Sequence, residues 1–243
     1  MTYRTDFAIK LIGSLVFGLI APLISILIYS VSQGIAGWTL YQLLILQGTM
    51  TFVIGTEGLL FGMLSWDTME SVREGRYDLE LIRPIKPMTL ATAKGPNLDL
   101  LSGQILGATI IIISAIKSNT HFSLQSTLLY LMLIVLGIIF LFALRACVGA
   151  FSFWFVRTWS LVHLMDTIKD IGRNPISIFG PGGLILFSFF IPIGVASFYP
   201  AQALFGRINI LLLIPVAISV FAFLGLSILI WRLAIKKYSS AGG

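Results

Sequence analysis

The stretch LIGSLVFGLIAPLISILIYSVSQGIAGWTLYQLLILQGTMTFVIGT, Leu11–Thr56, runs for 46 residues without a single charge. About 20 apolar residues carry a helix across the hydrocarbon of a bilayer, so this run holds two crossings rather than one. It divides at SQGIAGW, Ser32–Trp38, where glycines and polar residues mark a turn. A first helix is read over 11–31 and a second over 40–64. Pro22 is expected to kink the first. Arg4 and Lys10 ahead of an apolar run also fit a secretory leader, but the run outlasts a usual leader core and no small-x-small cleavage site follows it. A retained first span is the expectation.

The rest of the chain follows the same reading. Only 11% of the 243 residues are charged and 57% are hydrophobic, too few polar groups to coat a soluble core, which excludes an ordinary soluble enzyme. Further helices are read over 98–116, 124–156, 178–197 and 208–231, giving an all-α integral membrane protein of six spans in one domain, 1–243. Arg145 interrupts the fourth run, and the apolar residues beyond it extend that helix. Residues 157–174 are polar and partly amphipathic. Asn174–Gly206 is charge-free but punctuated by Pro175, Pro181, Pro192 and Pro200, so a broken region is expected between the fifth and sixth helices.

Six spans put both termini on one side. With the ends inside, 14 of the 16 Lys and Arg fall on inner segments, and only Lys117 and Arg207 fall outside. This positive-inside bias makes the termini and residues 65–96 cytoplasmic. It also explains a net charge of +6 without nucleic acid, since no basic block or face occurs.

Chemistry is sparse. His121 and His163 fall on opposite sides, so they cannot share a metal. No HExxH, phosphate-binding Gly-x-x-x-x-Gly-Lys-Ser/Thr or Gly-x-Ser-x-Gly motif is present. No metal site, catalytic group or bound cofactor is expected. Cys147, the single cysteine, reads as a buried bystander. Glu57 is the one carboxylate well inside a span, about 10 Å from its inner end at 1.5 Å per residue. It is either a contact on a transport path or a carboxyl held by another helix. Gly48, Gly55 and Gly62 recur at spacing seven, and Gly58-x-x-x-Gly62 and Gly103-x-x-x-Gly107 repeat at four. Such small residues serve close helix packing or a dimer seam.

The charged segment 65–96 is patterned too regularly for a plain loop. Residues 65–73 read as a short amphipathic helix, with Trp66, Met69 and Val72 on one side and Glu70, Arg73 and Glu74 around it. Asp67 and Glu70 have capping-box spacing. Gly75 permits a stop, and Arg76 follows. Tyr77, Leu79, Leu81 and Ile82 are apolar but too few to span. Arg83 and Pro84 lead into Ile85 and Lys86, which Pro84 and Pro87 are expected to hold extended. Such a segment packs on its own protein, the membrane surface or a partner.

GRYDLELIRPIKPM, Gly75–Met88, closely resembles the Gly-x-x-Asp-x-x-Leu-x-Arg-Pro-x-x-Pro signature of the ABC-2 family of transporter permeases, in its small prokaryotic branch. LRACVGAFSFWFVR, Leu144–Arg157, and FIPIGVASFYPAQALFG, Phe190–Gly206, look like that branch's later patterns in the same order. Lys86 departs from a frequent Asn. The resemblance implies a multi-pass protein of the prokaryotic plasma membrane. It also implies a second permease subunit, identical or a paralogue, and separate cytoplasmic ATPases that bind ATP and Mg. It makes the segment after the second helix a coupling element seated on the ATPase, with Trp66, Met69, Glu70, Val72, Arg73, Glu74, Gly75 and Arg76 as its core and Arg83 and Pro84 in support. The reading is therefore an ATP-driven exporter's permease, in contact with membrane lipids and performing no bond chemistry itself. Its rivals are a self-powered secondary transporter or channel using Glu57, a membrane-embedded lipid-modifying enzyme, and a non-transporting anchor for an ATPase.

Overall fold

A computed structural model describes residues 2–35, 37–94, 101–120, 122–155 and 159–238. His121, Pro96, Arg157 and the first residues of the span read over 98–116 lie outside them. Every regular element among the described residues is helical. Helix α1 covers Thr2–Val31, with Pro22 inside it, and α2 covers Leu40–Arg73. After α2 come two short helices, α3 (Asp78–Leu81) and α4 (Pro87–Ala93), and then α5 (Leu101–Lys117) and α6 (Leu124–Phe151).

Local chemistry sets these limits. Thr39 caps α2 by accepting from the Gln42 amide, while Gln42 Oε1 accepts from the Thr39 amide in return. Ser123 caps α6 in the same way, accepting from the Ser126 amide at 3.1 Å. Gly75 stops the chain after α2 with φ +69°, a conformation that costs a residue with a Cβ. The separate helix expected over 65–73 does not form. Those residues are the last turns of α2, so Asp67 and Glu70 lie near its C-terminal end and cap no helix start. Pro87 opens α4 at its first position, where a missing N–H costs no hydrogen bond.

The chain then doubles back. Helix α7 (Trp159–Ile171) starts with the Trp159 ring 5.1 Å from that of Trp66. It ends where Arg173 Nη1 donates to Thr51 Oγ1 at 3.1 Å. Trp66 and Thr51 are 15 residues apart on α2, about 22 Å at 1.5 Å per residue. The amphipathic segment read as an inner loop is thus an arm that climbs into the bundle.

Beyond it, the single helix expected over 178–197 is replaced by short pieces. These are a 3-10 turn at Ile176–Phe179, α8 (Gly180–Ile185), a π turn at Leu186–Phe190, a second 3-10 turn at Ile193–Ala196 and α9 (Phe198–Leu204). Gly180 has φ +71°, and Pro192 removes a donor and bars helix at the residue before it. The broken backbone is covered. Ser219 Oγ donates to the Ser188 carbonyl at 3.2 Å, and the Ser188 and Tyr199 hydroxyls lie 2.6 Å apart. The chain closes with α10, Ile210–Lys237.

The bundle has two distinct ends. At one, the Trp38 and Phe198 rings lie 5.9 Å apart, as do those of Phe122 and Phe205, and Arg207 donates to the Gly37 carbonyl. At the other, the Tyr77 ring contacts those of Phe153 and Tyr238 at 4.8 and 5.5 Å. Between them a dry core runs along α2, α6 and residues 193–204, including Met50, Val53, Phe140 and Ile193. Large apolar side chains cover the outside, among them Leu27, Leu131 and Leu211. The helices Leu40–Arg73, Leu124–Phe151 and Ile210–Lys237 are each long and apolar enough to cross a bilayer. Gly18–Val31 within α1, Leu101–Lys117 and the broken run Ile176–Phe190 are shorter apolar helical stretches. An outer surface this apolar is stable only in lipid: the chain is a membrane protein.

Candidate functional site

Two clusters of polar residues stand out against this apolar frame. The first lies at the end marked by Tyr77. Its ring is fully buried, which anchors the turn after Gly75 against α6 and the end of α10. Glu80 sits beneath, accepting from Ser71 Oγ at 3.0 Å and from Lys94 Nζ at 2.7 Å. Lys94 also pairs with Asp67 at 2.9 Å. One ammonium thereby pins α3 and the end of α4 to the last turns of α2. Burial lowers the Lys94 pKa, but the two carboxylates outweigh it and hold the group above the ordinary lysine range. Burial also raises the Tyr77 phenol, with the Glu80 charge adding to it.

What this pinned segment shows outward is mixed. Leu79, Leu81, Ile82 and Ile85 are exposed, with Ile82 79% accessible. Arg73, Glu74, Arg76, Arg83, Pro84 and Lys86 are exposed beside them. Glu70 pairs with Arg73 at 4.0 Å, and Glu74 accepts from Arg76, whose pKa rises for that reason. The residues singled out on α2 divide. Trp66 is exposed and edge-on to Trp159, Val72 is half-buried, and Met69 packs on the bundle's own core. The outward apolar surface therefore lies chiefly at 79–85, beyond the stripe Trp66–Met69–Val72. It is legible only as a short apolar run until the fold shows that its side chains are left uncovered.

The second cluster is internal. Glu57 is completely buried. Its carboxylate accepts a bidentate pair from Arg145, from Nε and, at 2.8 Å, from Nη2, and lies 3.7 Å from Lys169 Nζ. Arg145 Nη1 also reaches the Gly62 carbonyl at 3.2 Å and Ser65 Oγ at 3.4 Å. The cluster joins α2, α6 and the α7 arm. Arg145 lies inside a continuous helix, six residues before its end, and Arg145, Lys169 and Arg173, counted above with the inner segments, all lie within the bundle. The signal for the pair was a lone cation in one long apolar run and a lone carboxylate in another. Fork-to-fork geometry of this kind fixes orientation as well as charge. The arrangement links three helices through one carboxylate.

The glycines serve a third purpose. A Cβ on Gly55 would stand 2.6 Å from the Gln104 amide nitrogen, and one on Gly107 would stand 2.5 Å from that of Phe52. Gly48 faces the Gly107 carbonyl, and Gly103 faces Gly55. These four residues bring α2 and α5 of one chain into backbone contact, which is the close helix packing read for them. Gly58 is buried and Gly62 half-buried on the same helix. Among the described residues, no group of His, Cys, Asp and Glu could hold a metal.

The family model described as ABC-2 family transporter protein matches residues 15–242. No curated protein and no solved structure matches the chain.

Proposed function

The chain belongs to the ABC-2 family of transporter proteins, the membrane permeases of ABC transporters, and on that premise we propose that it is an exporter's permease whose pinned segment couples it to ATP hydrolysis. In this reading six spans carry the chain through a prokaryotic plasma membrane with both ends inside. The ends of α2, α6 and α10 that meet at Tyr77 face the cytoplasm. ATP and Mg bind to separate ATPase subunits seated on residues 66–86, and a second permease, identical or a paralogue, completes the pathway.

The observation that carries this reading is the surface at Leu79, Leu81, Ile82 and Ile85, flanked by Arg73, Arg76, Arg83 and Lys86. Exposed apolar side chains rimmed by charge suit a protein cleft. Such a surface transmits force only if it is rigidly attached. Tyr77 in its aromatic socket and Lys94 across Asp67 and Glu80 supply that attachment to α2. Closure of the ATPases would push the segment, and α2 with α6 and the α7 arm would tilt together through the Glu57 cluster. The internal carboxylate has two cationic partners, which favours this structural part over proton transport.

Two variants test the reading. Ile82→Asp with Arg83→Glu, and separately Arg73→Glu with Arg76→Glu, alter only exposed side chains. Both are expected to insert and melt like the parent while co-purification of the partner ATPase falls about ten-fold or more. Undiminished co-purification with both variants would refute the coupling assignment.

A further inference from the structure

A cleft of about 320 Å³ lies between α1, α2 and the end of α7. Its α1 wall is mostly apolar, through Ile20, Ile24 and Ile28, with the Ser25 and Tyr29 hydroxyls among them, and its other side carries Gln47, Asp170 and Arg173. Gln47 is 3% exposed. Its amide nitrogen donates to Ser25 Oγ at 2.9 Å, while its Oε1 has no partner among the described residues. An unpaired buried amide oxygen is costly, and native structures leave few of them without cause.

Arg173 is the second element. It donates from Nη1 to Thr51 Oγ1 and from Nε to Asp170 Oδ1, which leaves Nη2 uncommitted among the described residues. Thr51 is 11 residues beyond the start of α2 at Leu40, about 16 Å at 1.5 Å per residue. That is roughly half of a 30 Å hydrocarbon core. A cation at this depth, in a cleft rather than a sealed core, marks a place where a polar group enters the membrane interior.

We propose that this cleft binds the head of an amphiphile that carries both an acidic group and a hydrogen-bond donor. The guanidinium takes the acid. Gln47 Oε1 and the Asp170 carboxylate take donors, so a head with acid alone is disfavoured by Asp170. The chain of the amphiphile lies along α1, whose Leu23 and Leu27 are exposed. Gln47 Oε1 is fully covered, so the head reaches it by parting α1 from α2.

The probe is short-chain phosphatidylglycerol, whose head is acidic and hydroxyl-bearing. The comparison is phosphatidylcholine, which has no donor and no net negative charge. Each is titrated into the intact chain in nanodiscs and bound molecules are counted by native mass spectrometry. The parent is expected to prefer phosphatidylglycerol about ten-fold or more. Arg173→Gln should abolish the preference, and Gln47→Leu, which removes the acceptor together with the hydrogen bond to Ser25, should reduce it several-fold. Arg207→Gln, which removes a cation at the far loop, should leave it unchanged. Retention of the preference in Gln47→Leu overturns the proposal, as does an equal loss in Arg207→Gln. If Arg173→Gln does not fold, Gln47→Leu and the Arg207→Gln control decide.

A second arm separates a transported molecule from a resident lipid, and it alone rests on the transporter reading. With the partner ATPase present, stimulation of hydrolysis by the probe in the parent but not in Gln47→Leu identifies cargo. Binding without stimulation identifies a lipid of the surrounding bilayer. Either result supports the site. Failure of the coupling variants above would leave the binding arm intact.

Discussion

Arg145→Met removes the hub of the internal cluster. The substitution deletes two hydrogen bonds to Glu57 and the contacts to the Gly62 carbonyl and Ser65 Oγ. It leaves a fully buried carboxylate facing only Lys169 at 3.7 Å. Breaking a buried pair by removing one partner costs about 3–5 kcal/mol. The remaining ammonium keeps the expected cost near the lower end, about 3 kcal/mol. The triple variant Glu57→Leu, Arg145→Met, Lys169→Met removes every charge at once, and such apolar replacement is often neutral or better, so it should recover to within about 1 kcal/mol of the parent. Reversible unfolding in mixed detergent micelles, followed by the fluorescence of the five tryptophans, measures each step of the cycle. A single variant costing less than about 1 kcal/mol, or a triple variant as unstable as the single one, would refute the electrostatic account. A triple variant that is stable yet fails to transport would return Glu57 to the transport path.

Two further outcomes follow from contacts described above. Gly107→Val puts a branched side chain where even a Cβ would stand 2.5 Å from the Phe52 nitrogen. α2 and α5 must separate, at a cost of about 1–3 kcal/mol or more, read in the same unfolding assay. Gly225→Val, where a Cβ meets nothing within 4 Å, is the control. The Lys94 staple predicts a pH dependence. Its pKa is raised in the folded chain, so its contribution is complete below the ordinary lysine value of about 10.4 and is lost as pH rises through the raised one. Amide protection of residues 78–93 should therefore hold from neutral pH upward and fall under strongly alkaline conditions. Lys94→Met should remove that step, and its persistence would refute the assignment.

Much of the fold was open to sequence reading because a bilayer imposes a one-dimensional rule. Charge-free runs near the length of a crossing mark helices in advance of any packing, and α2, α6 and α10 lie where such runs stand. The end of α2 was misread because its polar residues look like a surface helix. Ser65, Thr68 and Ser71 are buried, but their hydroxyls bond within the protein, Thr68 to its own helix and Ser71 to Glu80. Helix α7 misled for the opposite reason. Its charges suggested an inner loop, whereas Lys169 is compensated at Glu57, a residue more than 100 positions earlier in the chain.

The sequence alone determined that this protein lives in a membrane, that it is helical, which family signature it carries, and that residues 74–88 are a polar, proline-marked segment between two apolar runs. Each of these depends on local composition and spacing. Tertiary structure alone decided which charge meets Glu57, that Gly48, Gly55, Gly103 and Gly107 join two helices of one chain, that the apolar side chains at 79–85 are left uncovered, and that Arg173 lines a cleft. Those depend on residues far apart in the chain, from 48 positions between Gly55 and Gly103 to 153 between Ile20 and Arg173. Their proximity is set by how the chain returns through the bundle, and that return is chosen by the summed packing of all the helices rather than by any one stretch of them.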